Sequence, residues 1–324
     1  MNAKTTEIDL HVAYEEPVIG SSPAAKRLKK AVKKLAEVDS NIFIVGETGT
    51  GKEFIARRIY LQSSRRNQTF VEINCSALGK TIGKKELYGE ELEQNQTVMR
   101  NIGLLEKANK GILFLRNIGD MSPEYQEDFL QIIRDNKFRQ IGGSENIELA
   151  IRIISTSDRD LEPEIESGKF RKNLYYLLNT LTLYIPPLRE RKQDIPELFS
   201  YFLKKYCEQE GKEEPAVQSE IFESILEYDW NGNVRELENT VQNLIMMSPE
   251  GELSVDFLPF KLKRHPLDFL EPTNLKGTIS NIETFLIKKA LNKVGGNQVK
   301  AAKLLGVQLP TLRFKMKKYL ISSK

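Results

Sequence analysis

Cysteine and histidine are scarce in this chain, with two of each among 324 residues. Cys75 and Cys207 lie far apart without a C-x-x-C spacing, and His11 and His265 stand alone, so neither a structural zinc site nor a disulfide framework is expected. Both thiols read as buried and inert. No run approaches about 18 continuous apolar residues and no basic start leads into an apolar stretch, which predicts a soluble, cytoplasmic protein without a membrane partner. Nor does one sign of charge dominate. The 48 basic and 45 acidic residues leave a formal net charge of +3, too little for a global field to select a polyanion or a membrane. Internal repeats and low-complexity tracts are absent as well.

The even balance conceals a local excess. Residues 276–324 carry Lys276, Lys288, Lys289, Lys293, Lys300, Lys303, Arg313, Lys315, Lys317, Lys318 and Lys324 against Glu283 alone. Such a run points to a polyanion-binding module, with a solvated lysine-rich helix face as the plainer alternative.

Upstream, apolar runs of strand length alternate with helical periodicity. Helices are predicted over 24–37 and 52–62, and strands over 41–45, 69–74, 112–115, 149–155 and 180–185. This alternation argues for a mainly parallel sheet covered by helices on both faces. Past Pro186-Pro187 the strands are expected to stop, and 195–208, 218–228 and 234–247 read as amphipathic helices. Pro249, Pro259, Pro266 and Pro272 then accumulate, the mark of a linker. The predicted organisation is a polar tail (1–17), an α/β unit (18–186), a helical unit (187–262), a linker (263–277) and a helical C-terminal domain (278–324).

Chemistry concentrates at Gly46-Glu47-Thr48-Gly49-Thr50-Gly51-Lys52, a G-x-x-x-x-G-K loop between a predicted strand and a predicted helix. Its glycines let backbone N–H groups close around phosphates, the helix N-terminus favours anions, and Lys52 reaches the outer phosphates. Glu53 follows where Ser or Thr would offer a hydroxyl to Mg²⁺. A glycine-rich turn without a ligand is the alternative, but strand, loop and helix in this order favour bound ATP or ADP.

These residues resemble the AAA+ domain of bacterial sigma-54-dependent transcription activators, from about Val18 to the C-terminus. The resemblance rests on ordered blocks: Ile19-Gly20-Ser21-Ser22-Pro23, the phosphate loop with its Glu53, Phe70-Val71-Glu72-Ile73-Asn74-Cys75, and Glu86-Leu87-Tyr88-Gly89. Ile118-Gly119-Asp120-Met121, Pro186-Pro187-Leu188-Arg189-Glu190-Arg191 and Trp230-Asn231-Gly232-Asn233-Val234-Arg235-Glu236-Leu237 follow. The implied fold class is an α/β P-loop NTPase of AAA+ type, with a parallel sheet and helical lid, followed by an all-α Fis-type helix-turn-helix domain. In that family a ring of ATPase subunits hydrolyses ATP, and a Gly-Ala-Phe-Thr-Gly-Ala loop pushes on the sigma factor to open the promoter.

Two parts of that machine depart from the family pattern. The acidic pair of the second nucleotide motif becomes Arg116-Asn117, and the loop region from Glu90 to Met99 lacks its motif. The missing aspartate would help hold Mg²⁺; the missing glutamate would polarise the attacking water, worth on the order of 10²- to 10⁴-fold. Arg116 turns attraction for a metal into repulsion, roughly 4 kcal/mol per unit charge pair at about 4 Å and an effective dielectric near 20. Mg²⁺ binding is therefore in doubt, no metal site is assigned and the catalytic set is not intact. Arg116 is read either as touching phosphate, which suits a guanidinium, or as pointing to solvent.

The resemblance also assigns the remaining positions. Asn74 matches the asparagine that couples the family's catalytic glutamate to nucleotide state, and its partner position now holds Asn117. Arg171 matches one arginine finger, the residue a neighbouring subunit directs toward the γ-phosphate, while the second finger falls at Leu177. Arg235 matches the lid arginine that senses nucleotide. The sensor strand's Thr-Asn becomes Ser157-Asp158.

At the C-terminus, Ile282, Leu286 and Ala290 are expected to form the apolar face of a first helix. Gly295 to Val307 supplies a capped helix ending at a glycine turn, and Pro310 to Tyr319 the helix that enters the major groove of double-stranded DNA. Thr311, Arg313 and Lys315 are candidate contacts, and Gln308 could read a base edge. Leu309 and Phe314 replace the family's usual basic residues, and Leu304, Leu312 and Met316 are expected in the core. The leading expectation is a DNA-binding regulator whose AAA+ domain binds nucleotide or assembles, as a homo-oligomer or with a homologue, without hydrolysis and without sigma-54 contact. The alternatives are a weakly active ATPase using Asp120 or Asp158 as substitutes, and a partner that inhibits or scaffolds a homologue's ring through Arg171.

Overall fold

The structure, a computed structural model, describes residues 17–94, 97–248, 251–262, 275–319 and 321. The predicted tail, apart from Pro17, and most of the predicted linker lie outside the described residues. The described chain divides into two compact units, at Leu258/Pro259.

Ser22 sets the start of the first helix. Its hydroxyl accepts the Ala25 N–H at 3.0 Å, Pro23 occupies the first turn where no N–H is needed, and α1 runs Pro23–Glu37. Ala25, Leu28, Val32 and Ala36 are its buried stripe. After it come β1 (Ile42–Val45), the phosphate loop, α2 (Lys52–Gln62) and β2 (Phe70–Asn74). A short helix α3 (Lys84–Tyr88) then leads into an antiparallel hairpin, β3 (Gly89–Gln94) and β4 (Thr97–Ile102), followed by α4 (Leu104–Lys107) and β5 (Ile112–Arg116). The first unit's α/β part is completed by α5 (Pro123–Asp135), the paired β6 (Lys137–Phe138) and β7 (Ile147–Glu148), β8 (Arg152–Ser157), α6 (Glu162–Glu166), α7 (Lys172–Leu178) and β9 (Leu181–Tyr184).

Five strands form one parallel sheet in the order β2-β5-β8-β1-β9. Period-two alternation distributes their side chains between two apolar layers. Phe43, Leu113, Leu115 and Ile153 join Phe129 and Phe170 on one face; Ile42, Ile44, Ile112, Phe114 and Ile154 join Ile55 and Ile59 on the other. Each such fully buried side chain contributes about 1.5–3 kcal/mol relative to exposure, which is why the strand ends around the loop are held firmly.

The predicted strand at 149–155 shifts to Arg152–Ser157. Leu149 is buried before the ladder begins, and Arg152, hidden in an apolar run, donates from Nε to the Ser40 carbonyl (3.1 Å) and from Nη2 to the Leu35 carbonyl (2.6 Å). A charge there works as an internal cap for the end of α1. The helical part holds α8 (Ile195–Glu210), α9 (Ser219–Glu227) and α10 (Asn233–Met247). Strands do not stop entirely, however: β10 (Ala216–Val217) pairs in parallel with β11 (Glu252–Leu253). A two-residue ladder leaves no periodic signal in the sequence.

The second unit contains α11 (Leu275–Lys293), α12 (Gln298–Leu304) and α13 (Leu309–Lys318). Its core is Ile287, Ala290, Leu291, Ala301, Ala302, Leu312, Met316 and Ile321. The expected face of Ile282, Leu286 and Ala290 is corrected, since Leu286 is 46% exposed. Ala290 is buried as expected, and Ile287 and Leu291, each one position further along the helix, fill the stripe in place of Leu286. Leu304, expected in the core, is likewise exposed, and Leu305 packs in its place. Among the described residues no helix is long and apolar enough to cross a membrane.

Candidate functional site

The phosphate loop leaves β1 at Gly46, whose N–H donates to the Ser157 carbonyl of β8 at 3.3 Å. Gly49 and Gly51 hold φ of +81° and +97°, values that L side chains rarely adopt. Gly49 is needed for space as well, because a Cβ there would sit 2.1 Å from the Gly232 carbonyl oxygen. Lys52 opens α2, and its ammonium donates to the Gly46 and Glu47 carbonyls at 2.5 and 3.0 Å. Burial lowers its pKa to about 8; the nearby Arg235 charge adds to the effect, while Asp158 and Glu47 oppose it.

Lid residues close directly on this loop. Arg189 grips the Glu47 carboxylate with both terminal nitrogens, at 2.7 and 2.5 Å, and holds its pKa below the usual carboxylate range. Asn233 donates to Glu47 Oε2 at 3.2 Å and to the Thr48 carbonyl at 3.0 Å, and its own Oδ1 accepts the Leu188 N–H. The Arg235 N–H donates to the Gly49 carbonyl at 3.2 Å. Between loop and lid lies a cavity of about 470 Å³, lined by the apolar Val18, Ile19, Leu28, Leu198 and Phe202 and by the basic Lys52, Arg116, Arg191 and Arg235, with Glu53 and Glu238 among them.

A nucleotide fits this donor set. Gly49 and Gly51 form a cradle that side chains would strain, and Arg191 is buried against the Thr50 carbonyl with an Nε that has no hydrogen-bond partner. A cavity of this size, with apolar and basic side chains in its lining, suits an anionic ligand with an apolar base.

A divalent metal does not fit in the same way. Arg116, at the end of β5, pairs through Nη1 with Glu72 of β2 and with Glu53 of α2 at 3.4 Å. Arg57 pairs with the same two carboxylates, so two arginines and two glutamates form a square of ion pairs. The sequence left Arg116 between phosphate and solvent; it lines the cavity while bound to these acids. Asn117 takes a left-handed conformation (φ 53°), and its N–H donates to Thr156 Oγ1 at 3.2 Å. The two substitute acids are held by Arg159, which donates to Asp120 and to Asp158 at 3.1 Å each.

In the second unit, Asn297 caps α12 by accepting from the Val299 and Lys300 N–H groups, and Gly306 turns the chain at φ +65°. Gln308, Thr311, Arg313, Phe314, Lys317 and Lys318 are exposed. Arg313 lies against Gln298, with Nε 3.1 Å from Oε1. Lys315, expected to face outward, is half-buried instead, paired with Glu283 of α11, and Tyr319 donates to the same carboxylate at 2.7 Å. A lone acid in a basic helix draws in whichever lysine its face can reach.

Residues 18–184 match the sigma-54 interaction domain family, 189–271 the AAA+ ATPase lid domain, and 278–319 the Fis family of bacterial regulatory proteins. The chain belongs to the sigma-54 activator family. It is 38% identical over 309 residues to a signal-transduction and transcriptional-control protein of Clostridium beijerinckii, and 36% identical over 318 residues to the Nif-specific regulatory protein of Azotobacter vinelandii. These alignments cover 94% of this chain but 48% and 60% of the relatives, so the chain spans about half the length of the curated relatives it matches. Crystal structures of NtrX from Brucella abortus share its fold: the complex with ATP aligns with a TM-score of 0.70 at 31% identity, over 94% of this chain and 70% of NtrX. The complex with ADP aligns with a TM-score of 0.69 over 93% and 68%.

Against the activator family pattern, the residues foreseen at the nucleotide site divide. The phosphate-loop residues Thr48 to Glu53, with Arg235 and Arg116, line the cavity together. Asn74 turns away to a local task, its Oδ1 accepting the Ser76 hydroxyl at 2.9 Å. Arg171 stands on the surface at the start of α7, paired with Glu127 at 3.0 Å. The activator's expected sigma-contacting loop is the β3–β4 hairpin, whose turn at 95–96 lies outside the described residues. Sequence reasoning gave no roles to Arg57, Glu72, Arg189, Arg191 and Asn233. All but Arg57 lie inside quoted family blocks, but only the fold brings the last three to the loop.

Proposed function

We propose that this chain is a DNA-binding transcription regulator whose AAA+ unit binds an adenine nucleotide and does not turn it over. The observation that carries this reading is the Arg116 ion pair with Glu53 and Glu72 at the strand end where a metal-holding acid would stand. Asn117 beside it has no basic oxygen to take a proton from water, and neither substitute acid is idle, since Asp120 and Asp158 both bond Arg159. Binding needs only the phosphate loop, Lys52, Arg235 and the cavity. DNA contact falls to Gln308, Thr311 and Arg313, with Lys315 set back against Glu283.

Without the water-activating acid and the Gly-Ala-Phe-Thr-Gly-Ala motif, the reading includes no remodelling of the sigma-54 holoenzyme. Phosphate release measured with ATP and Mg²⁺ tests it: turnover matching an active family member, abolished by Lys52→Ala, would sink it. A second reading is supported by Arg171, whose side chain is 47% exposed. Placed toward a neighbouring subunit, it would let this chain join the ring of an active homologue and stall it. Co-purification with such a homologue at a fixed ratio favours that reading. A DNA-binding loss in Arg313→Ala with unchanged assembly favours the first.

A further inference from the structure

Arg116 shares its cavity with Gly51, Lys52 and Thr156, and its side chain is 33% exposed beside the first turn of α2. We propose that this guanidinium is a resident counter-cation, so that the site takes a nucleoside di- or triphosphate without a divalent metal. The inference rests on the nucleotide-binding reading above and deepens it.

Three observations converge. First, the acids beside Arg116 are already engaged: Glu53 and Glu72 are each shared between Arg116 and Arg57. A metal ion entering there would meet two guanidiniums and would have to break ion pairs to reach either carboxylate. Second, other metal donors are missing or engaged. Asn117, where the family pattern has an acid, offers only an amide, Thr156 Oγ1 accepts the Asn117 N–H, and Asp158 takes bonds from Thr48 and Arg159. Third, an anion would meet more cations than acids, because Lys52, Arg116, Arg191, Lys205 and Arg235 line the cavity against Glu53 and Glu238. A guanidinium's planar fork of N–H donors matches phosphate oxygens without demanding the octahedral shell that Mg²⁺ requires. Arg116 would therefore offer its N–H donors to phosphate at the strand end where the family pattern has a metal-holding acid, with Glu53 and Glu72 holding it there.

Titration of the full chain with fluorescent ADP and ATP analogues, in EDTA and in excess Mg²⁺, tests the assignment. The two affinities are expected to agree within about threefold. Arg116→Asp should weaken binding by about tenfold or more in EDTA and recover much of it with Mg²⁺, whereas Arg116→Lys should keep metal independence. Arg116→Gln, which adds no third acid beside Glu53 and Glu72, guards against a folding artefact, as do melting curves of all three variants. Its binding in EDTA should fall as for Arg116→Asp, but without recovery in Mg²⁺. A wild-type affinity that drops about tenfold in EDTA overturns the inference while leaving nucleotide binding in place. Absence of binding in both buffers overturns the inference and the nucleotide-binding reading together.

Discussion

On the loop side of the cavity, Gly49 and Gly51 keep their left-handed backbone, Lys52 is folded against two carbonyls, and Arg189 and Asn233 brace Glu47. On the strand-end side, Arg116 is tied into a square of charges and Asn117 is turned toward Thr156. The first side works through main-chain shape, which the buried sheet enforces. Its opposite depends on two side chains, and a compensating ion pair lets them change without exposing the core. On the proposed reading, binding and turnover are separable in this fold, because different parts of the chain supply them.

That contrast can be broken most forcefully by restoring the acids. Arg116→Asp combined with Asn117→Glu should raise Mg²⁺-dependent phosphate release on the order of 10²-fold over the wild type. Unchanged turnover would move the block to Ser157-Asp158 or Leu177. Next in size, Lys52→Ala removes a charge-assisted contact worth about 1.5–3 kcal/mol, so nucleotide affinity should fall roughly 10- to 100-fold with little change in melting temperature. Gly49→Ala combines an unfavourable φ with a clash at Gly232; a loss of roughly 2 kcal/mol should lower the melting temperature by about 4–8 °C.

A smaller effect is expected from pH. With its pKa lowered to about 8, Lys52 is charged at neutral pH and loses its proton as pH rises through that value, so metal-free nucleotide affinity should decline severalfold from about pH 7 to 9. A flat titration would contradict this. Smallest of all, Arg313→Ala should reduce the salt slope of DNA binding by about one unit with little effect on the nucleotide site.

The loop side was legible in the sequence because its signals are local. Strand, glycines and lysine follow one another, and α2 begins and ends where the periodicity predicts. Arg116 and Asn117 were equally visible as departures, but their partners were not: Glu53, Glu72 and Arg57 come from α2 and β2 and meet only across the sheet. The β3–β4 hairpin escaped notice for another reason. Gly89 to Gln94 is rich in glutamate and offers no apolar alternation to read. In the helix-turn-helix, Leu286 and Leu304 were misplaced because several apolar residues crowd α11 and α12 and packing alone selects among them.

The grip of Arg189 and Asn233 on Glu47 has a thermodynamic corollary. On the proposed reading no phosphoanhydride bond is broken and no step is irreversible, so lid and ligand would influence each other only through linked equilibria. Whatever free energy the ligand contributes to closing the lid, lid closure must return to the affinity for ligand. Occupancy of the cavity would then follow nucleotide concentration, and the unit would act as a gauge of supply, with no stroke to deliver.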